Sequence, residues 1–127
     1  MKVGIIGFGT YTPKTRMDAS EIAEKSGIPE HVIREKFGVQ SKPIPGPQDS
    51  TSAMAIAASR RAVEMAGIDP KDIDVLIYNG GQHKDYLNWL AGLKIAHELG
   101  AENAWSFDME AMCGSMMAGI EVARSLM

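Results

Sequence analysis

The chain has one cysteine, Cys113, and so can form no internal disulfide. A reducing, cytoplasmic setting follows as the expectation. It has no basic excess: thirteen Lys and Arg face sixteen Asp and Glu, for a formal net charge of −3. A general nucleic-acid binder needs positive charge to neutralise phosphates, so nucleic acid is not expected as a partner. No apolar run approaches the ~20 residues of a membrane span. The opening Met1-Lys2-Val3-Gly4 lacks the long apolar stretch of a secretory signal. No membrane is therefore expected. No pair of His, Cys or carboxylates has metal-ligand spacing, and no metal is expected. Internal repeats and low-complexity segments are also lacking.

What is present is the composition of a packed domain. Forty-five per cent of the 127 residues are hydrophobic and 23% are charged, which suits about one domain with a core. The pattern alternates strands and helices. Lys2 to Phe8 reads as a buried strand that leaves through a turn at Gly7 and Gly9. Tyr11 to Arg16 is a loop. Asp18 or Ser20 can cap a helix that Gly27 stops, and Pro29 suits the first turn of another ending before Gly38. Residues 39 to 49, with three prolines, form a loop, and Ser50, Thr51 or Ser52 caps a long helix to Ala66. That helix carries a stripe of small residues able to pack closely. Ile73 to Tyr78 is a strand, broken by Asn79-Gly80-Gly81. Leu87 to Leu99 is a helix, Ala104 to Asp108 a strand, and Cys113 to Leu126 a final helix with little polar surface. Strands separated by helices long enough for crossovers predict an α/β layered fold with a largely parallel sheet. The last helix reaches Met127 in mid-pattern, without a capping glycine. A part of a larger domain is the expectation.

Four groups of residues could carry chemistry. Gly4, Gly7 and Gly9 invite a dinucleotide reading, yet Thr12 stands where the third glycine belongs and Pro13 where a helix must begin. A strand leaving through a tight turn is the simpler account. Cys113 follows a short strand and a sharp turn and opens a helix of small residues. Unpaired N–H groups and the positive end of the helix dipole would there stabilise a thiolate. Gly114 and Ser115 would let a substrate approach. A buried structural cysteine is the competing account. His83 lies in the loop after the second strand, where ligands gather in open α/β sheets, although it could equally be an ordinary loop residue. His31 and His97 read as surface residues. Arg34, Lys36, Lys42, Arg60 and Arg61 could hold a phosphate-bearing cofactor or an acidic carrier protein, or could simply be solvated.

Four stretches, in order, resemble one family. Phe107-Asp108-Met109-Glu110-Ala111-Met112-Cys113 is similar to the nucleophile segment of the thiolase-fold condensing enzymes. The branch it resembles is that of 3-oxoacyl-acyl-carrier-protein synthase III and 3-hydroxy-3-methylglutaryl-CoA synthase. Val3 to Pro13 resembles the family's first strand and turn. Phe37-Gly38-Val39 with Lys42 to Pro47 resembles the segment before its long helix. Ala62 to Pro70, then Ile73 to Tyr78, resembles its passage from that helix into the second strand.

The resemblance implies a thiolase-like layered α-β-α fold, with residues 1–127 as the amino-terminal part of its first half and the carboxy-terminal half absent. It implies an acyltransferase of the β-ketoacyl synthase III type, acting in fatty acid or related biosynthesis. Cys113 would take an acyl group from acyl-CoA as a thioester, and the carbanion of a malonyl or acetyl thioester would then attack it. The backbone N–H of Cys113 would be one oxyanion donor. Lys36, His83 and Gly114 would contact substrate or CoA. Lys36 stands where synthase III has an arginine, and Val32 where it has a tryptophan. A His and an Asn from the second half would complete the site. No permanently bound cofactor is expected. An acyl carrier protein is a further partner, and the full-length enzyme would be a homodimer. A hydroxymethylglutaryl-CoA synthase-like enzyme and a non-catalytic subunit needing a partner chain are the alternatives. The loop Asn79 to Lys84 lacks the Glu of the hydroxymethylglutaryl branch. The 127 residues alone would catalyse little.

Overall fold

The computed structural model describes residues 3–81 and 83–127. Lys2, the first residue of the expected opening strand, and Gln82 lie outside the described residues. The chain forms two compact units, one of residues 3–11 with Thr51–Met127 and one of Thr12–Ser50.

The smaller unit is built around local caps. Strand β1 (Arg16–Asp18) runs directly into helix α1 (Ala19–Ser26). Asp18 accepts the Glu21 N–H at 2.9 Å, and Gly27 ends the helix at φ 72°. The Asp18 carboxyl is held below the ordinary Asp value, first by that backbone bond and next by the Ser20 hydroxyl. A single wide turn of π-helix follows at Val32–Lys36, with Ile33 buried. Strand β2 (Ser41–Pro43) pairs antiparallel with β1, with Arg16 opposite Pro43 and Asp18 opposite Ser41. The sequence pattern predicts a loop at Arg16, a helix cap at Asp18 and a loop at residues 41–43, and a strand at neither place. Three residues carry too little pattern to show a period, and Pro43 argues against a strand. Contacts distant in sequence form the ladder: Ile44 N–H donates to Thr15 C=O, and Arg16 Nε to Ser41 Oγ, both at 2.9 Å.

The larger unit is layered. Helix α2 (Thr51–Ala66) leads through a 3-10 turn at Pro70–Asp72 into strand β3 (Val75–Gly80). Helix α3 (Ala91–Leu99) then crosses over to strand β4 (Trp105–Glu110), which lies parallel to β3 with Val75 opposite Trp105 and Gly80 opposite Glu110. Parallel neighbours require such a crossover. Helix α4 (Ser115–Leu126) closes the order. Side chains alternate faces along a strand. Leu76 and Tyr78 of β3 pack with Ile56 of α2 and with Ala91 and Ile95 of α3. Asn79 points the other way and lies against Gly119 of α4, so closely that a Cβ on Gly119 would strike its carboxamide. The expected helix-sheet-helix layering and parallel pairing are present.

The opening segment departs from expectation. Residues 3–10 form no regular element and join no sheet, and Ile5, Ile6 and Phe8 are exposed. They run along the small-residue stripe of α2 instead. A Cβ on Gly7 would meet Ala62 and Ala66, and one on Gly9 would meet Ala58, Arg61 and Ala62. Phe8 N–H reaches Met65 Sδ, and Arg61 Nη1 donates to the Thr10 carbonyl. These glycines serve close packing. The next regular element after Gly9 is strand β1, not the helix that a dinucleotide fold places there.

Candidate functional site

Strand β4 ends at Glu110, and the chain turns at once. Ala111 has φ −143° and ψ 35°, and Met112 has φ 50°. A residue with a Cβ costs about 1–2 kcal/mol in that left-handed region, so the surroundings must hold the turn. Ser115 does this. Its hydroxyl is buried, accepts the Ala111 N–H at 2.7 Å, and shares its proton between Met112 C=O at 2.9 Å and Gly80 C=O at 3.2 Å. The Gly114 N–H also bonds back to Ala111 C=O at 3.0 Å. One side chain thus joins the end of β3, the end of β4 and the start of α4.

Cys113 is exposed on this turn. The sequence reading made it the first residue of a helix, whereas it occupies a 3-10 turn, Met112–Gly114, and α4 begins at Ser115. The positive φ of Met112 and the inward Ser115 hydroxyl are the cause. Ser115 is buried and supports the turn. Gly114 does border open space, since a Cβ there would meet nothing within 4 Å. A strained strand-to-helix turn with its reactive side chain outward is a geometry that presents a nucleophile.

The loop after β3 borders the same strand ends, because the two strands are parallel and in register through Gly80 and Glu110. The loop is tied down at three points. Thr51 Oγ1 donates to the His83 carbonyl at 3.3 Å. Asp85 accepts both the backbone N–H and the hydroxyl of Ser52, satisfying the start of α2. Lys84 Nζ lies 3.1 Å from Asp108 Oδ2 and 3.1 Å from Glu110 Oε1. Asp108, with its side chain 4% exposed, also accepts Ala91 N–H at 2.9 Å and Gly92 N–H at 2.8 Å. It thereby caps α3 from a neighbouring strand, and α3 starts at Ala91 and not at Leu87. The ammonium of Lys84 is held above the usual Lys value, first by Glu110 and then by Asp108. Burial, followed by the Asp108 charge, pushes the Tyr78 hydroxyl up.

No protein-family model matches the chain. Curated relatives do. The chain is 34% identical over 119 residues to β-ketoacyl-[acyl-carrier-protein] synthase III of Streptomyces lividans, covering 94% of this chain and 35% of that protein. It is 30% identical over 125 residues to hydroxymethylglutaryl-CoA synthase of Methanococcus vannielii, covering 98% and 36%. Among solved structures, the priming β-ketosynthase of the R1128 polyketide pathway superposes with a TM-score of 0.87 at 31% identity, covering 97% of this chain and 38% of that one. The fold is thiolase-like, and the chain is a relative of the synthase III and hydroxymethylglutaryl-CoA synthase branch of condensing enzymes. The synthase III of Aquifex aeolicus also superposes with a TM-score of 0.87, at 23% identity. The chain spans about a third of the length of the curated relatives it matches: 35% and 36% for these two.

Within this thiolase-like fold, the residues singled out from sequence fall in both units. Cys113, Gly114 and His83 belong to one unit, at the carboxyl ends of neighbouring strands. The His83 side chain is exposed, and its carbonyl ties the loop to α2. Lys36 is exposed on the π turn of the other unit. His31 and His97 are exposed on or beside helices. Sequence reading missed Lys84, Asp85 and Asp108. Only Asp108 left a trace, as an acidic residue inside a strand pattern whose other inward residue is Ser106. Among the described residues, no group of three His, Cys, Asp or Glu could hold a metal ion, and no helix is long and apolar enough to cross a membrane.

Proposed function

We propose that this chain is the nucleophile-bearing, amino-terminal part of a synthase III-like acyltransferase, and that Cys113 is the acyl acceptor. The observation that carries this reading is the Cys113 turn, an exposed thiol on a strained strand-to-helix junction in a chain related to β-ketoacyl synthases. The thiolate would attack the carbonyl of an acyl-CoA. The new carbon–sulfur bond forms as the bond to CoA breaks, and CoA leaves as a thiol after taking a proton. A carbanion, formed from a malonyl thioester by loss of CO2 or from an acetyl thioester by loss of a proton, would then attack the acyl carbonyl, form the new carbon–carbon bond and release Cys113 as the thiolate. The Cys113 N–H would donate to the oxyanion, and Gly114 leaves room for the incoming carbonyl. Lys36 and His83 are assigned to substrate or CoA contact. The His and Asn that complete the site, and the homodimer, belong to a longer polypeptide. The proposed setting is the cytoplasm, with an acyl carrier protein as a further partner.

Exposed apolar side chains fit a part that needs more chain. Met116, Met117, Ile120, Leu126 and Met127 on or next to α4 are exposed. A groove of about 690 Å³ runs between that helix and β3, lined by Val75, Ile77, Met116 and Ile120 among others. The test is acyl-CoA incubation followed by peptide mass spectrometry. An acyl group on Cys113, absent after Cys113→Ala, is expected. A protein that takes no acyl group, with its full polypeptide present, would overturn the reading.

A further inference from the structure

The cluster at the strand ends has a feature that acyl transfer alone does not explain. Asp108 and Glu110 alternate with Met109 at the end of β4, and Lys84 sits between their carboxylates at 3.1 Å from each. Asp108 is already engaged by the α3 amides, and Asp85, next to Lys84, by Ser52. Glu110 retains an exposed side chain, 40% accessible, and lies three residues before Cys113. Three residues of chain span at most about 11 Å. The backbones of Glu110 and Cys113 therefore lie within about the Debye length of 10 Å at 0.1 M salt, so at low salt the Glu110 carboxylate adds to the potential around the thiol. Thioesters of phosphorylated pantetheine are anions. An uncovered acidic pair would repel them.

We propose that Lys84 sets the charge preference of the Cys113 site: by offsetting one of the two negative charges of Glu110 and Asp108 it lets an anionic acyl donor reach the thiol. This rests on the acyl-transfer reading above and assigns one residue to its donor preference. Lys84 is a specificity residue acting through Glu110, not a catalytic one.

The test compares two alkylating reagents on the same protein, neutral iodoacetamide and anionic iodoacetate, each reacting at Cys113. In Lys84→Met the iodoacetate-to-iodoacetamide rate ratio should fall about twofold at low salt, the effect of one unit charge at about 10 Å in water. Lys84→Arg should hold the wild-type ratio. Glu110→Gln should raise it by a similar factor, and this variant keeps the test alive if Lys84→Met does not fold. At about 1 M salt, where the Debye length is about 3 Å, the differences should vanish. An unchanged ratio in Lys84→Met or Glu110→Gln at low salt, or a change that survives high salt, overturns the proposal. Failure of the acyl-transfer reading shows elsewhere, as no acyl group on wild-type Cys113, and leaves the ratio to decide the role of Lys84.

Discussion

The Ser115 hydroxyl accepts the backbone N–H of Ala111 at 2.7 Å, and through that bond the turn carrying Cys113 is fixed to the first residue of α4. Ser115→Ala removes the acceptor and leaves a part-buried N–H without it. The cost of such an orphaned donor is about 1–3 kcal/mol. The strained φ of Met112 then also loses its support. Urea unfolding should show that loss of stability. Alkylation of Cys113 by iodoacetamide should be slower than in the wild-type protein. A Ser115→Ala protein with wild-type stability would show that the hydroxyl does not hold the turn.

How far the sequence could foretell this site depends on where each determinant lies. Asp18 and Gly27 frame α1 through local rules, and both ends of that helix are legible. The β3 strand shows as an apolar run, the α2 helix as a helical stripe, and β4 and α4 as apolar segments of matching length. The β1–β2 ladder pairs residues 23 to 27 apart over three positions, Asp18 with Ser41 among them, too few for any period to show. Helix α2 begins within the expected Ser50 to Ser52, whereas the start of α3 is set by Asp108, which lies 17 residues further on. Caps supplied from a distance leave no local signature. Val3 to Phe8 has a strand's composition, but composition does not say whether a partner edge is offered. Met112 is the clearest case, because nothing about a methionine announces a positive φ; only the Ser115 network requires it.

The glycines of the opening segment separate packing from mere flexibility. A Cβ on Gly9 would meet backbone atoms of Ala58 and Ala62, which cannot step aside cheaply, while one on Gly4 would meet nothing within 4 Å. Gly9→Ala should therefore cost about 1–3 kcal/mol by overpacking. Gly4→Ala should stay within about 0.5 kcal/mol of wild type. Thermal or urea unfolding of the pair gives the comparison. Equal stabilities would mean that the segment does not lie against α2.

Alkaline pH should loosen the strand ends before the rest of the molecule. Lys84 is protonated more firmly when folded, because Glu110 and Asp108 accept from it, and Tyr78 keeps its proton because burial and the Asp108 charge disfavour the phenolate. Both groups bind protons more tightly in the folded state than in the unfolded one. Both contributions are thus fully present below the unfolded values, about 10.4 for Lys and 10 for Tyr. They are lost as pH rises through the higher folded values, since stability falls wherever the native state holds the extra proton. The urea midpoint should be level through neutral pH and decline above about pH 10. Lys84→Met should start lower and decline less, because it no longer has that proton to lose, and Tyr78→Phe should flatten the remaining slope. A Lys84→Met midpoint that declines as steeply as wild type would show that the ammonium is not bound more tightly in the folded protein, and that its contacts with Asp108 and Glu110 do not persist in solution.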